Sequence, residues 1–346
     1  MHYIIYLGSL ILLILGFSVF RNFLVRNPQK NTFSILIACR NEEQNLPVLF
    51  ESLRNLNYPK VLYEIIIVDD ASSDQSPHLL KQFAENSENI KCFYLLEKNE
   101  KYKGKKAALK KAAQNAMNEF LLFTDADCIV HPEWLNGYNK FISPQTSMIC
   151  GFYSEQNVSS FKRFSNQFSA AIFSVSIALG IPFSAAGSNL CIRKTVFENV
   201  DGYEKIKHHT AGDDKLLVQM IHKAGYKIAF NHFNHISTSS QISNSYFKRK
   251  YGKAKLSPPF IQLLSFLVLL FYLSIPFFVL FRSLWIPFLC YYTAINFFWF
   301  SILIRHKFKW KIMDLFYLLI YPYFVIFYTI WGMLSSWQWK DQKAKS

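Results

Sequence analysis

Phe120-Leu121-Leu122-Phe123-Thr124-Asp125-Ala126-Asp127 is an apolar run that stops on two carboxylates spaced i, i+2. An extended backbone there turns both side chains to the same side. Two hard oxygen ligands then converge at the carboxyl end of a strand. Such a pair suits Mg²⁺ or Mn²⁺ carrying a diphosphate, because Mg²⁺ usually takes one or two protein carboxylates together with substrate phosphates. Carboxyl ends of strands are also where open α/β sheets bind ligands. A D-x-D triplet alone is common on loops, so its surroundings decide its meaning.

Those surroundings divide the chain in two. It has 346 residues, 51% hydrophobic and 17% aromatic, which excludes a disordered protein. Tyr3–Phe20, Phe260–Phe281, Trp285–Ile304 and Leu315–Leu334 are nearly uncharged runs of about 20 residues, the length of a membrane-crossing helix. We expect an N-terminal span at 1–22, a soluble domain at 31–240, and a basic amphipathic interfacial segment at 241–258. About three membrane helices at 259–336 and a polar tail at 337–346 complete the expected division. Only Met1 and His2 precede the first apolar run, so it lacks the basic start of a signal peptide. Cations follow it at Arg21, Arg26 and Lys30, and recur at Lys248, Arg249, Lys250, Lys253 and Lys255 and at Arg305, Lys307, Lys309 and Lys311. By the positive-inside tendency these residues and the domain face the cytoplasm, as in an integral protein of the inner or plasma membrane. Lys340, Lys343 and Lys345 run against that count, since four full spans would put the tail outside.

The net charge of +15 therefore reads as attraction to an anionic membrane surface. No nucleic-acid motif accompanies it, and no nucleic-acid partner is expected. Six cysteines without a C-x-x-C pair read as ordinary reduced thiols.

Within the soluble domain, Ser34–Cys39, Tyr63–Val68, Ile90–Leu96 and Phe120–Thr124 are short apolar runs of the kind buried on both faces. Helical spacing lies between them at Leu46–Leu56, from Pro77 to about Asn86, and at Lys105–Met117. This β-α-β-α-β-α-β order predicts an α/β fold with a mostly parallel, Rossmann-like sheet. Three of the four strands end in polar groups: Arg40 to Glu43, Asp69 with Asp70, and Asp125 with Asp127. Several such endings on one sheet edge describe a site.

Each group has a plainer reading too. Asp69 or Asp70 can simply form an Asx-turn or helix cap, but two adjacent carboxylates repel unless a donor group or a cation offsets them. Gly104-Lys105-Lys106 is no Walker loop; it either brings an anion to a helix start or forms a solvated basic face. Gly187-Ser188-Asn189 is a plain turn or a close approach for an acceptor. Asp213 caps a helix expected at Lys215–Lys223, while Asp214 in its first turn is a candidate general base. His208 and His209 diverge and lack a third partner at zinc spacing. Phe161–Ile181 mixes Lys162 and Arg163 with large apolar residues, as in a helix lying on a bilayer or one buried under the acceptor site.

Taken in order, these pieces resemble the family 2 glycosyltransferases of the nucleotide-diphospho-sugar transferase (GT-A) type. The resemblance covers roughly Phe33–Asn231. It rests on Ala-Cys-Arg-Asn-Glu-Glu (38–43), Ile-Val-Asp-Asp-Ala-Ser-Ser-Asp (67–74), Gly-Lys-Lys-Ala-Ala-Leu (104–109) and Phe-Thr-Asp-Ala-Asp-Cys (123–128). Gly-Ser-Asn (187–189), Asp-Asp-Lys-Leu-Leu (213–217) and Lys-Ala-Gly-Tyr (223–226) complete the set.

The resemblance implies a nucleotide-sugar donor, a UDP-sugar, with Ala38, Arg40, Glu42, Asp69 and Asp70 around the nucleotide and Lys105 supporting it. It implies a metal, Mg²⁺ or Mn²⁺, on Asp125 and Asp127, and Asp214, beside Asp213, as the base that deprotonates an acceptor hydroxyl. Gly187, Ser188, Asn189, Lys250 and Tyr251 fall on the acceptor or diphosphate side. The sugar would move by direct displacement with inversion. Processive polysaccharide synthases carry Gln-x-x-Arg-Trp after the base; here Phe247-Lys248-Arg249-Lys250-Tyr251 stands there, with Lys250 in place of the Arg, Tyr251 in place of the Trp and the Gln missing. Lys cannot reproduce the bidentate grip of Arg on a diphosphate. The expectation is therefore a single transfer to a lipid, lipid-linked or glycan acceptor at the membrane. A processive synthase and a non-catalytic nucleotide-sugar-binding membrane protein are the alternatives.

Overall fold

The computed structural model describes residues 2–18, 29–85, 87–97, 101–102, 104–155, 158–238, 250, 253–281, 284–334, 337–339 and 342–344. The expected alternation is present. Strand β1 (Phe33–Cys39) leads to helix α2 (Leu46–Arg54), β2 (Tyr63–Asp70) to α3 (Ser76–Ala84), and β3 (Ile90–Leu95) to α4 (Lys106–Gln114); β4 (Phe120–Asp125) follows. Helix α1 (His2–Ser18) precedes them. The chain continues through β5 (Cys128–Ile129), α5 (Trp134–Asn139), β6 (Met148–Glu155), α6 (Ser160–Ala178), β7 (Leu190–Arg193), α7 (Lys194–Asn199), α8 (Asp213–Lys223) and β8 (Ile228–Thr238). Helices α9 (Pro259–Leu280), α10 (Trp285–His306) and α11 (Met313–Leu334) follow, and Trp337–Trp339 pairs with Gln342–Ala344 as a small hairpin in the expected tail.

The sheet order is β3-β2-β1-β4-β7-β6-β8-β5. Strands β1 to β4 are mutually parallel, as their apolar runs predict; β7 and β5 run against their neighbours, so the sheet is mixed beyond β4. Alternation along the strands divides the core. Ile35, Ile37, Ile65, Ile67 and Leu122 face α2, α3 and α5, whereas Leu36, Ile66, Val68, Leu121 and Phe123 face α4, α6 and α8.

Two local expectations are corrected. Strand β2 does not stop at Val68 but runs through Asp69 and Asp70, which therefore point to opposite faces. Strand β4 stops at Asp125, and Ala126 with Asp127 form a turn rather than extended chain.

Helix α6 is a core helix, not a surface one. Ser159 caps it, its Oγ accepting from the Lys162 N–H at 3.3 Å. Phe164 is fully buried, 4.9 Å from Trp299 of α10 and 5.2 Å from Tyr321 of α11 between ring centroids. Arg163 clamps the start of α11, one Nη donating to Asp314 Oδ1 at 2.5 Å and the other to the Lys309 carbonyl. Lys162 and Glu155 form an ion pair of 2.7 Å with both side chains 2% exposed. A pair buried so deeply holds its geometry because losing one partner strands the other charge, at a cost of about 3–5 kcal/mol.

Among the described residues, two helical stretches are long and apolar enough to cross a bilayer, Trp285–His306 and Met313–Trp331. Helix α1 has 17 residues. At ~1.5 Å per residue these turns fall short of a hydrocarbon core of about 30 Å, so among the described residues the expected N-terminal span is a short apolar helix. It lies along α10. Gly16 permits this, since a Cβ there would stand 2.9 Å from Phe297 and 3.3 Å from the Phe298 Cα. We expect Gly16→Leu to push α1 off α10 at a cost of about 1–3 kcal/mol. In detergent, this appears as a lower melting temperature with a far-ultraviolet spectrum that keeps its shape below the transition.

Candidate active site

Register brings the strand-end groups together. Ala38 of β1 lies opposite Asp125 on one side and Val68 on the other, and Cys39 opposite Asp69. Asp125 continues the Leu121–Phe123 face and Asp70 the Ile66–Val68 face, so both carboxylates lie on the α4 side of the sheet with the small Ala38 between their strands. Asp69 turns the other way. Its Oδ2 accepts from the Ser72 N–H at 3.0 Å, the expected Asx-turn, while its buried Oδ1 has no hydrogen-bond partner among the described residues. Ala71 next to it is held at φ 55°, a left-handed conformation that the turn imposes on a non-glycine residue.

The loops after β1 and β2 are laced together by side chain to backbone bonds. The Asn41 N–H donates to Ser72 Oγ at 2.9 Å, and Asn41 Oδ1 accepts from the Ser73 N–H at 2.8 Å. The Glu42 N–H donates to Ser76 Oγ, the Glu43 N–H to Asp74 Oδ2, and the Gln75 N–H to Glu43 Oε2. Arg40 Nη1 donates to the Asp70 carbonyl at 2.6 Å, bracing the strand end. Glu42 Oε2 accepts from Asn45 Nδ2 at 2.6 Å. These contacts make one rigid wall from two loops, with Asp70 buried behind it.

Lysines oppose the acids. Lys105, just before α4, forms an ion pair with Asp125. Burial works against its ammonium, but Asp125 and Asp213 outweigh that and raise its pKa. Burial likewise opposes the Asp213 carboxylate, yet Lys105, Lys106 and Lys253 hold its pKa below the ordinary value. Lys106 is buried, and burial lowers its pKa; its Nζ donates to the His209 carbonyl. Sequence reading singled out neither Lys106 nor Lys253 as a partner of Asp213, although both stand in Lys-rich runs. It also missed Tyr203, a buried phenol set edge-on to Phe123, whose pKa is raised first by burial and then by Asp213.

Helix α8 begins at Asp213, two residues earlier than its apolar face suggests, after Gly212 at φ 84°. Asp214 Oδ2 accepts from the Gly187 N–H at 3.2 Å and its Oδ1 from the Lys215 N–H at 2.8 Å. Gly187 has to be small: a Cβ there would lie 3.1 Å from the Asp214 Cβ. Asn189 is spent on structure. It is wholly buried, Oδ1 accepting from Trp134 Nε1 and the Tyr138 hydroxyl and Nδ2 donating to the Phe152 carbonyl. Ser188 is also buried.

Lys250 is bonded to α6. Its Nζ donates to Ser165 Oγ at 2.9 Å and to Asn166 Oδ1 at 3.1 Å, both in α6, near Glu155 and Lys162. Tyr251 lies outside the described residues.

Asp125 and Asp127 supply hard oxygens on either side of a tight turn, and Asp125 already balances a cationic ammonium. Among the described residues no three His, Cys, Asp or Glu side chains converge. The donor set fits a hard divalent ion that takes few protein ligands and completes its shell with phosphate oxygens and water. His208 and His209 lie ring to ring at 4.8 Å.

An α/β sheet with a braced turn, paired carboxylates and lysines along one carboxyl edge has the form in which open α/β sheets bind ligands. Residues 34–200 match the family described as glycosyl transferase family 2, and this stretch of the chain is a domain of that family. It is 25% identical over 207 residues to glycosyltransferase AglE of Haloferax volcanii, covering 58% of this chain and 64% of that protein. It is 36% identical over 102 residues to beta-monoglucosyldiacylglycerol synthase of Trichormus variabilis, covering 30% of this chain and 21% of that one. The chain thus spans less than two thirds of the length of these curated relatives. In fold it is similar to the mannosyltransferase PcManGT from Pyrobaculum calidifontis, solved with GDP-Man and Mn2+. The TM-score is 0.60 at 14% identity, covering 95% of this chain and 94% of that one.

The buried seat of Lys250 generates a pH prediction. Burial lowers its pKa to about 7, with Glu155 opposing and Lys162 adding to the shift. In the unfolded chain the ammonium keeps its proton to roughly pH 10. Between those values the unfolded state binds more protons, so stability rises with pH, and below the folded value this contribution is absent. The melting temperature of the detergent-solubilised protein should rise from neutral to mildly alkaline pH, and Lys250→Met should flatten that rise.

Proposed function

We propose that this protein is a membrane-bound, inverting glycosyltransferase that moves one sugar from a nucleotide-sugar donor, a UDP-sugar by preference, to a lipid or lipid-linked acceptor. The observation that carries this reading is the meeting of Asp125, Lys105, Asp213 and Asp214 on the edge that also carries Asp70. Asp70 and Glu42 bind the base and ribose, and the laced loops around them keep that half of the site rigid. Asp125 and Asp127 would hold Mg²⁺ or Mn²⁺, which would supply Lewis-acid neutralisation of charge on the departing diphosphate. Lys105, released from Asp125, follows the same charge.

Asp214 is the base. As the acceptor oxygen bonds to the anomeric carbon, the carbon–phosphate-oxygen bond breaks, its electron pair leaves with the diphosphate, and the acceptor proton passes to Asp214. The Gly187 N–H steers one carboxylate oxygen, so the proton goes to a fixed place. Asp213, held ionised by its lysines, keeps those cations near the leaving diphosphate. No covalent intermediate is needed, and the displacement inverts the anomeric carbon.

Membrane residence is supported by the two spanning-length helices and by the apolar side chains exposed along α1, α9 and α11, among them Leu7, Leu263, Phe266 and Phe327. The cations flanking these helices favour a cytoplasmic catalytic domain. A lipid acceptor follows from that residence, and the diacylglycerol-linked name of one relative agrees with it. The bonding of Lys250 to Ser165 and Asn166 of α6 favours single transfer over processive synthesis.

Asp127→Asn should bind the donor more weakly and abolish Mn²⁺-dependent transfer while the protein still inserts and melts normally; wild-type turnover would remove the metal assignment. Asp214→Asn should bind donor as wild type does in calorimetry, with transfer lowered roughly 10²–10⁴-fold. An unchanged rate would take Asp214 out of the base role.

A further inference from the structure

The helix that carries Asp213 and Asp214 is gripped by two side chains that the strand-end motifs do not explain. Lys215 is buried, and its Nζ donates to the Lys253 carbonyl at 3.0 Å and to Ser257 Oγ at 2.6 Å. One turn later on the same face, Gln219 Nε2 donates to the Leu256 carbonyl at 2.9 Å and to the Phe183 carbonyl at 3.1 Å. Gly212, at the helix start, leaves room for Leu256, because a Cβ there would stand 2.6 Å from its Cδ1.

What these two side chains hold is the root of the C-terminal helices. Lys253–Leu256 is a 3₁₀ turn packed against α11, and Pro259 opens α9 directly after it. The exposed Phe260, Leu263 and Leu264 begin the apolar surface there. Phe183 lies four residues before Gly187, whose N–H is bound by Asp214 (187 − 183 = 4). Gln219 therefore joins the loop that steers Asp214 to the turn that starts the apolar helices.

We propose that Lys215 and Gln219 are positioning residues that set the height of Asp214 above the bilayer, so that its carboxylate meets a hydroxyl of a membrane-embedded lipid and not that of a dissolved sugar. The inference rests on the reading of Asp214 as base in a membrane glycosyltransferase. Keeping an ammonium in such a buried place is costly: burial lowers the Lys215 pKa to about 8, with Asp214 opposing and Lys253 adding. Two short bonds to the turn offset that cost. Height matters because a reacting oxygen displaced by about 1 Å loses roughly 10²-fold in rate. A lipid anchored by its chains cannot follow a base that has moved, whereas water can.

The test uses the full chain in phosphatidylglycerol vesicles containing diacylglycerol and a polyprenyl-diphosphate-linked N-acetylglucosamine, both of which present a hydroxyl. UDP-glucose, UDP-N-acetylglucosamine and GDP-mannose are each supplied with Mn²⁺, and free glucose and N-acetylglucosamine serve as soluble acceptors. Lipid glycosylation and hydrolysis of the donor to water are followed together. Wild type should glycosylate a lipid. Gln219→Ala and Lys215→Met should lose lipid transfer by roughly 10–100-fold while hydrolysis stays within about twofold, and Lys215→Arg should recover most of the transfer. Transfer and hydrolysis falling together, or neither falling, would overturn the positioning role. A wild type that glycosylates only the soluble sugars would overturn the lipid-acceptor reading beneath it, and one inert to every donor would overturn the enzyme reading itself.

Discussion

Like charge crowded onto one sheet edge is the constraint around which this molecule is built. Parallel strands put their carboxyl ends side by side, so Asp70 and Asp125 come to the same face and Asp213 and Asp214 approach from α8. Carboxylates so close cannot all stay ionised without cations. Lys105, Lys106 and Lys253 supply them, and each is brought by a different part of the backbone than the acid it serves. Lysine rather than arginine is used. An ammonium is a compact charge that can leave one carboxylate for a phosphate without breaking a bidentate geometry.

The same face of the sheet carries the link to the apolar helices. Phe164 of α6 packs between Trp299 and Tyr321, and Arg163 is bonded to Asp314 at the head of α11. One core thus contains β-strand residues such as Phe123, α8 residues such as Leu217, and Ile302 and Leu318 from the C-terminal helices. A site seated on that core cannot shift relative to the apolar helices without repacking close-packed side chains, which is costly. Charge keeps this junction specific. Glu155, Lys162, Lys250 and Asn166 form a buried polar group that a slipped packing would leave unpaired.

The alternation of strands and helices was legible because apolar period and turn residues are local properties. The runs at Ile65–Val68 and Leu121–Phe123 could hardly be anything but buried strands, and Pro77 marked the start of α3. The D-x-D triplet and Asp213-Asp214 were legible as carboxylate pairs for the same reason. Other points were not. Asp127 was expected on extended chain and stands in a turn, because β4 loses its neighbour β1 after Asp125, where the register ends at Ala38. Asn189 was expected near an acceptor and is a buried strut between Trp134, Tyr138 and Phe152, which no spacing along the chain could reveal. Lys250 was expected at a diphosphate and is bonded into α6. The antiparallel β7 and β5 escaped notice since a short apolar run has no direction.

By itself the sequence determined the material of this protein: apolar helices at both ends, a βαβ domain between them, and carboxylates at strand ends in the order of family 2 glycosyltransferases. Those features follow from residue type and spacing over a few neighbours. Only the tertiary structure decided which of the charged groups answer one another. Lys105 meets Asp125, Gly187 meets Asp214, and Gln219 ties Phe183 to Leu256, because strand register and helix packing bring together residues that the chain keeps 20 to 37 positions apart. Charge acts through space at a few ångströms, and only the folded backbone sets that distance.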